Sequence, residues 1–292
     1  MSRRPLPEAT IDASLKCEIS EIAQSLASIE DAERIALSGD IAAPLRHTAS
    51  WTTFCLLVTS TIHDRGYVVV RGLNTDQGKS LLIASAAMGK AFDTYRPEQI
   101  VKRFRMSPWT RDLSHTTQAG DFHTDGNVSA TPPVGTALQC EREDPGAPEF
   151  AEQRAAHLAD LLDRLASGTR EDRDAHRFLT EAEAALAHGH SSDIWRGRLV
   201  QSGAIRYHPH SLRVAEKRLG NPFPYLESTI ATIHRAAMDV SIPFHTGPGD
   251  VLLLSNRTAL HYRGPCSVKF NSFPLDFESR SVLVLHLKGP AA

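Results

Sequence analysis

The stretch GPGDVLLLSNRTALHYRGPC, residues 247–266, predicts a turn, a buried strand and a histidine in close succession. Its first residues, Gly247–Asp250, have the glycine and proline content of a turn. The uninterrupted apolar run that follows, Val251–Leu254, is typical of a buried strand, and Ser255–Arg257 are predicted to end it. His261 is then expected on another strand of the same sheet system.

Other short apolar segments are also predicted to be strands. They are GYVVVRGL (66–73), QIVKRFRM (99–106), GDFHTDG (120–126), VGTALQCER (134–142) and SRSVLVLHLKG (279–289). Helical periodicity is concentrated at about 13–38, 51–66, 150–188 in two pieces, and 226–240. Short strands with helices gathered at the start and in insertions favour an α+β protein around a β-sandwich or barrel over alternating βαβ units.

The chain length suits a single domain covering residues 1–292. A helical N-terminal region, 1–65, is expected to precede a core region, 66–288, that carries a helical insertion at about 150–190. The polar stretch SPWTRDLSHTTQAG, residues 107–120, is a candidate mobile loop beside the core.

Composition argues against several classes of function. The formal net charge is −2 and lysine and arginine form no block, so nucleic acid is not an expected partner. The apolar runs are far shorter than the ~20 residues that a membrane span requires, and no apolar segment follows the two N-terminal arginines as in a secretory signal. The four cysteines are widely separated and are expected to be reduced and mostly buried in a cytoplasmic protein. The oligomeric state is not indicated.

The segment FHTDG, residues 122–126, places a histidine and a carboxylate two positions apart. Successive side chains of a strand alternate between faces, so His123 and Asp125 are predicted to point the same way. Asp-Gly is a turn signal, which puts the pair at a strand end where side chains can converge. Such a pair is common by chance, and a solvated histidine and aspartate would be the simpler interpretation of this segment alone.

His261 supplies the third group that a facial iron site requires. That kind of site uses two imidazoles and one carboxylate and leaves positions open for other ligands. The order and spacing of FHTDG, PGDVLLLSNRTALH and ESRSVLVLHL resemble the iron(II)/2-oxoglutarate-dependent oxygenases of the taurine dioxygenase and clavaminate synthase-like superfamily. The resemblance covers roughly residues 66 to 288.

This resemblance implies a double-stranded β-helix, or jelly-roll, core with N-terminal and inserted helices. It implies that His123, Asp125 and His261 bind Fe(II) and that 2-oxoglutarate and O2 are co-substrates. The expected reaction is hydroxylation of an unactivated C–H bond of a small molecule, an amino acid or an amino-acid-derived intermediate of specialised metabolism. Related halogenases have a small residue in place of the carboxylate, so Asp125 favours hydroxylation.

Alternative functions remain open at this point. A desaturase, an epoxidase or a ring-forming oxygenase would use the same site, because substrate placement decides the outcome. A non-catalytic metal-binding protein is a further alternative, and a buried arginine matching a dicarboxylate would argue against it. A zinc hydrolase is disfavoured by the lack of a helical H-E-x-x-H motif.

The resemblance also assigns residues to the two organic ligands. Arg280, at the start of the last strand, matches the arginine that binds the distal carboxylate of 2-oxoglutarate, and an arginine fork suits that group. Arg263 is the competitor, but its position beside a Gly-Pro turn predicts exposure. The family's Gly-Asp-Thr threonine has no clear match here, and Thr136 is a weak substitute. Gln118, Trp109 and Arg206 are candidate substrate contacts.

Several other histidines are not expected at the metal site, and His234 and His286 are expected to be structural. The pairs His188 and His190, and His208 and His210, have i, i+2 spacing but no partner in the family order, so loop or surface positions are expected. His234 is predicted on a helix and His286 on the last strand.

Overall fold

A computed structural model describes residues 5–89, 91–189, 191–220, 223 and 225–289. The described chain has a mixed α+β architecture. The helices are α1 (Ala13–Ser25), α2 (Ile29–Ser38), α3 (Ala49–Arg65), α4 (Lys79–Ser85), α5 (Leu158–Ala166), α6 (Arg170–Thr180), α7 (Pro209–Leu219) and α8 (Leu226–Val240), with one 3₁₀ turn at Ala43–Leu45. The strands are β1 (Glu8–Thr10), β2 (Tyr67–Arg71), β3 (Lys102–Arg105), β4 (Gly135–Arg142), β5 (Gln153–His157), β6 (Glu183–Ala187), β7 (Ile194–Arg198), β8 (Val200–Gln201), β9 (Ala204–Ile205), β10 (Val251–Ser255), β11 (Ala259–Arg263), β12 (Val268–Ser272), β13 (Asp276–Ser279) and β14 (Ser281–Leu287).

The main sheet contains six strands in the order β1-β2-β10-β4-β14-β3. Strand β1 is parallel to β2, and the other neighbouring pairs are antiparallel. Strands β2 and β10 are buried on both faces, which explains their continuous runs of valine and leucine. The apolar segments predicted as strands at 66–73, 99–106, 134–142, 247–254 and 279–289 all contribute to this sheet.

The N-terminal helices cover one face of the main sheet. Val68 and Val70 of β2 and Leu253 of β10 pack in one core cluster with residues of α1, α2 and α3. Helix α3 ends at Gly66, as predicted, and this glycine has a φ of 78° that favours glycine over other residues. The N-terminal region is not wholly helical, because β1 adds a short edge strand, and the helical pattern at 13–38 is broken between α1 and α2.

A second layer lies against the opposite face of the main sheet. Strands β5 and β11 pair antiparallel, and Ala155 of β5 packs with Val69 and Leu252 of the main sheet. The segment 150–190 is therefore only partly helical: α5 and α6 are separated at 167–169, as predicted, but they are flanked by strands β5 and β6. His261 lies in β11, so it belongs to this second layer and not to the main sheet.

The chain around FHTDG is not a regular strand, contrary to prediction. Only His123 pairs with another strand, in an isolated antiparallel bridge to His261. Their backbones exchange two hydrogen bonds, each with an N–O distance of 3.1 Å. The turn at Asp125–Gly126 begins directly afterwards, which limits the pairing to one residue.

No helix in the described part of the chain has the length and apolar character of a membrane span. The four cysteines form no disulfide in the structure, but only Cys140 and Cys266 are buried, whereas Cys17 is exposed and Cys55 is half-buried. The prediction of mostly buried thiols therefore holds for two of the four.

Gly249 gives the fold a testable constraint at the turn before β10. A Cβ there would lie 2.0 Å from the carbonyl oxygen of Leu73, and the φ of Gly249 is +90°. We expect Gly249→Ala to lower the free energy of unfolding by about 3 kcal/mol, because backbone strain adds to a clash with backbone. Urea denaturation would measure the loss.

Gly72 provides a matched control for this substitution. Its φ is +89°, nearly that of Gly249, but a Cβ there would have nothing within 4 Å. Gly72→Ala should therefore lower the free energy of unfolding by only the about 1–2 kcal/mol that a left-handed backbone costs a residue other than glycine. Equal losses in the two variants would contradict the proposed clash.

Candidate metal centre

Three predicted ligands converge on one point between the two layers. One ligand atom from each of His123, Asp125 and His261 can be chosen so that the atoms all lie within 4.8 Å of one another. The Nε2 atoms of His123 and His261 each lie 3.8 Å from a carboxylate oxygen of Asp125. Two imidazoles and a carboxylate at these separations fit a divalent transition metal bound on one face.

Asn256 fixes the turn that carries Asp125. Its side-chain oxygen accepts a hydrogen bond from the Asp125 backbone N–H at 2.7 Å, and its Nδ2 donates to the backbone oxygens of Asp125 and Pro133 at 3.0 and 2.9 Å. Gly126 follows with a φ of +61°, and a Cβ there would come within 2.6 Å of Pro133. The H-x-D segment is therefore held by a buried amide from the end of β10 and by a close approach that glycine permits.

The protonation of the three ligands suits metal binding. The Nδ1 of His123 lies 2.8 Å from the backbone oxygen of Asp121, so the ring can donate there and keep a lone pair on Nε2. Burial, together with the nearby His123, lowers the pKa of His261 to about 4, which keeps its imidazole neutral. Burial raises the pKa of Asp125, but the imidazoles of His261, His286 and His123 lower it by more, so it lies well below its usual value.

Two side chains of the main sheet contact the Asp125 carboxylate. Thr136 of β4 donates its hydroxyl to Oδ2 at 2.8 Å, and the Nε2 of His286 in β14 lies 3.3 Å from the same oxygen. Thr136 and His286 are directly opposite each other in the β4–β14 pairing. Thr136 therefore reaches the carboxylate ligand, and His286 has a contact with the site that its predicted structural role did not include.

The hydroxyl of Thr136 is expected to support metal binding. Thr136 is fully buried, so Thr136→Val keeps the shape of the side chain but removes the donor to Asp125. We expect iron(II) affinity to fall by about 10- to 100-fold, as is typical when a partner of a metal ligand is removed. Anaerobic iron(II) titration would measure this change.

Thr136→Ser is the matched control because it retains the hydroxyl. It should bind iron(II) nearly as the parent protein does. If Thr136→Val kept its iron affinity and lost 2-oxoglutarate affinity, the hydroxyl would act on the co-substrate, which is the role suggested by the resemblance.

Arg280 is buried at the start of β14. It is 4% exposed, and no described carboxylate lies within ion-pair distance of its guanidinium. Asp144 is nearby, but its carboxylate accepts a hydrogen bond from the Ser267 backbone N–H. Burial is the main cause that lowers the pKa of Arg280. A buried guanidinium without a carboxylate partner is costly, so this position suits an anionic ligand.

Arg263 has a different role from the exposed turn residue that was predicted. It ends β11 and is half-buried, and its guanidinium donates to the backbone oxygens of Thr116 and Gln118 at 3.0 and 2.9 Å. The Cys266 N–H also donates to the Thr117 oxygen at 2.8 Å. The loop predicted to be mobile is therefore attached to the end of the His261 strand.

The three candidate substrate residues lie in different surroundings. Trp109 is 56% exposed, and its indole donates to the Pro274 oxygen at 3.1 Å beside the β12–β13 hairpin. Gln118 is exposed on the loop held by Arg263. Arg206 is half-buried and lines a cavity of about 820 Å³ together with Thr124, the residue between the two ligands of the H-x-D motif.

His208 lies beside the metal centre and not in a surface loop as predicted. It caps α7, and its ring centroid lies 5.0 Å from that of His123. Burial lowers the pKa of His208 to about 2, so its ring is neutral. His190 lies outside the described residues. His234 packs edge-on against Phe122, which agrees with the structural role predicted for it.

Sequence patterns could have found one of these additional residues. His286 is six positions after Arg280, so period-two alternation places both on the same face of β14. No local signal distinguishes Asn256 or His208, because their partners lie far away in the sequence. Their roles depend on which segments the fold brings together.

Comparison with known proteins agrees with this geometry. Residues 56–269 match the family described as Taurine catabolism dioxygenase TauD, TfdA family. No curated protein matches the sequence. Asparagine oxygenase in complex with Fe(II), 2S,3S-3-hydroxyasparagine and succinate is similar with a TM-score of 0.70 and 16% identity, over 96% of this chain and 93% of that chain.

A second solved protein has the same fold. The non-heme iron oxygenase OrfP in complex with Fe and alpha-ketoglutaric acid is similar with a TM-score of 0.68 and 15% identity, over 97% of this chain and 95% of that chain. OrfP in complex with Fe, succinate and (3S)-hydroxy-L-Arg has a TM-score of 0.68 at 16% identity, over 97% of this chain and 94% of that chain.

Proposed function

The chain belongs to the Taurine catabolism dioxygenase TauD, TfdA family, and on that premise we propose that it is an iron(II)- and 2-oxoglutarate-dependent dioxygenase that hydroxylates an amino acid or an amino-acid-derived small molecule. The observation that carries the proposal is the convergence of His123, Asp125 and His261 within 4.8 Å. The solved oxygenases of the same fold, which are in complex with 2S,3S-3-hydroxyasparagine or (3S)-hydroxy-L-Arg, support the substrate class.

The side chains at the centre fit iron(II). His123 and His261 offer imidazole nitrogens and Asp125 offers a carboxylate, which together match the donor set of non-heme iron oxygenases. When bound, iron(II) with 2-oxoglutarate and O2 supplies the oxidising equivalent for C–H hydroxylation. These three side chains would hold the metal, and Asn256, Thr136 and the Asp121 carbonyl orient them.

Arg280 is the proposed anchor for the distal carboxylate of 2-oxoglutarate. Its burial without a described carboxylate partner supports this role and favours an enzyme over a non-catalytic metal-binding protein. A planar guanidinium can bind a carboxylate through two parallel hydrogen bonds.

The two layers are proposed to form the double-stranded β-helix expected of the family. The main sheet supplies Thr136 and His286, while β11 of the second layer supplies His261. The likeness to two solved oxygenases over nearly the whole chain supports this interpretation. The same likeness supports a single oxygenase domain over residues 1–292. The proposal includes a small-molecule substrate and a cytoplasmic location.

An anaerobic titration tests the proposed function directly. Adding iron(II) and then 2-oxoglutarate should produce a weak visible charge-transfer band with one equivalent of each. On exposure to O2, an amino-acid screen should reveal a substrate that couples succinate release to hydroxylated product. Protein that binds iron(II) but gives no band with 2-oxoglutarate would contradict the proposal.

A further inference from the structure

The extended segment 204–208 runs from β9 to the metal centre with its side chains alternating between two environments. Ile205 and Tyr207 are buried in the core formed with the later helices, whereas Arg206 and His208 are half-buried. His208 contacts the ring of His123. Because residues i and i+2 of an extended chain share a face and lie about 7 Å apart, Arg206 is expected on the same side of the segment as His208, the residue that contacts His123.

The backbone confirms how close this segment is to the metal ligands. The Thr124 N–H donates to the Tyr207 oxygen at 2.8 Å, and the Tyr207 N–H donates to the Thr124 hydroxyl at 3.0 Å. Thr124 and Asn256, which flank and hold Asp125, both line the same cavity as Arg206. The cavity of about 820 Å³ therefore reaches the turn that carries the carboxylate ligand.

The lining of this cavity is strongly cationic. Its charged residues are Arg198, Arg206, Arg257, Lys288 and Asp93. The single carboxylate is already engaged, because Asp93 lies 3.3 Å from the ammonium of Lys288. In the described part of the chain the three arginines have no carboxylate partner, so the cavity has an excess of positive charge.

Arg206 is held in a defined position within the cavity. Its Nη1 donates to the backbone oxygen of Ser129 at 2.9 Å, and its guanidinium lies 4.7 Å from the centroid of the Trp195 ring. These contacts occupy one donor and one face of the guanidinium, and an arginine has five N–H donors. The remaining donors suit the planar fork geometry of a carboxylate or phosphate.

We propose that Arg206 binds an anionic group, a carboxylate or a phosphate, of the molecule whose C–H bond is hydroxylated at the metal. The inference rests on the proposed function and narrows its substrate class to an amino acid or derivative with an anion that reaches the Arg206 cavity. Arg198 and Arg257 add positive charge around that group. His208, two residues after Arg206, contacts the ring of His123 and so links this segment to the metal ligands.

A titration of the iron- and 2-oxoglutarate-loaded protein with amino acids that differ in their anionic groups tests this inference. The probes are L-aspartate, L-asparagine, L-aspartic acid α-amide, O-phospho-L-serine and L-asparaginamide, which keeps the α-amino group but has no anionic group, and the readouts are the shift of the charge-transfer band and calorimetry. We expect the best acid to bind at least about tenfold more tightly than L-asparaginamide, as expected for a hydrogen-bonded ion pair. The two single amides distinguish an α-carboxylate from a side-chain anion as the bound group.

Substitutions assign the preference to Arg206. Arg206→Gln should remove the preference for the acid, whereas Arg206→Lys should retain part of it. Arg170→Gln, at an exposed position at the start of α6, is the matched control and should bind like the parent protein. Thermal unfolding of each variant would show whether a loss of binding reflects a loss of folded protein.

The outcomes separate this inference from the proposed function. Loaded protein that forms the charge-transfer band but binds L-asparaginamide as tightly as the acids, or binds none of the probes, would overturn the anion site alone. A preference that survives in Arg206→Gln would also overturn it. Failure to form the band in the parent protein would overturn the proposed function and this inference with it.

Discussion

Replacing His261 with alanine is expected to abolish stoichiometric iron(II) binding and turnover while leaving the protein folded. His261 is one of three groups whose ligand atoms lie within 4.8 Å of one another, and it comes from a different layer than the main sheet. Loss of a residue that supports a metal ligand lowers metal affinity by about 10- to 100-fold, and loss of a ligand itself should lower iron(II) affinity by more. Anaerobic iron(II) titration by calorimetry, with circular dichroism for folding, would measure the effect, and His123→Ala should behave alike.

His234→Ala is a suitable control for these two variants. His234 packs against Phe122, the neighbour of His123, but it is not one of the three converging groups. This variant should keep parent-like iron affinity even if packing around Phe122 weakens. Full iron affinity in both His123→Ala and His261→Ala would show that the metal site lies elsewhere.

Arg280→Ala should raise the 2-oxoglutarate requirement steeply and leave iron binding nearly intact. Removing one member of a buried, hydrogen-bonded charge pair typically costs about 3–5 kcal/mol, which corresponds to roughly a 10²- to 10⁴-fold loss of affinity. Iron binding should persist because Arg280 does not contact the three ligands. The charge-transfer band, titrated with 2-oxoglutarate at saturating iron(II), gives the dissociation constant.

Arg103→Ala is the matched control for this measurement. Arg103 lies on β3, which pairs with β14, but its side chain is 54% exposed and forms a surface ion pair with Glu141. Its loss should change 2-oxoglutarate affinity little, since surface pairs contribute only about 0–1 kcal/mol. Parent-like 2-oxoglutarate affinity in Arg280→Ala would place the anchor at another residue. Arg263 is unsuitable as a control because its hydrogen bonds hold the 116–118 loop.

Local sequence patterns were sufficient for much of the fold. The valine and leucine runs of β2 and β10 are buried on both faces, and such runs need no long-range information to be recognised as strands. Helix α3 ends at Arg65 for a local reason as well, because Gly66, the residue after the helix, has a left-handed backbone. Strand β5 was missed because the Ala-rich segment around it has helical propensity, and only its pairing with β11 makes it a strand.

Spacing and order in the sequence predict His123, Asp125 and His261 as metal ligands, since H-x-D at a turn and a distant histidine after a buried strand are recognisable patterns. The arginine at the start of the last strand was likewise found from sequence. The contacts of Thr136 and His286 with Asp125, of Asn256 with the same turn, and of His208 with His123 were found only in the folded structure. The physical reason is that backbone periodicity is a local property, whereas these contacts join segments separated by up to about 160 positions, and pairing between layers decides which of them meet.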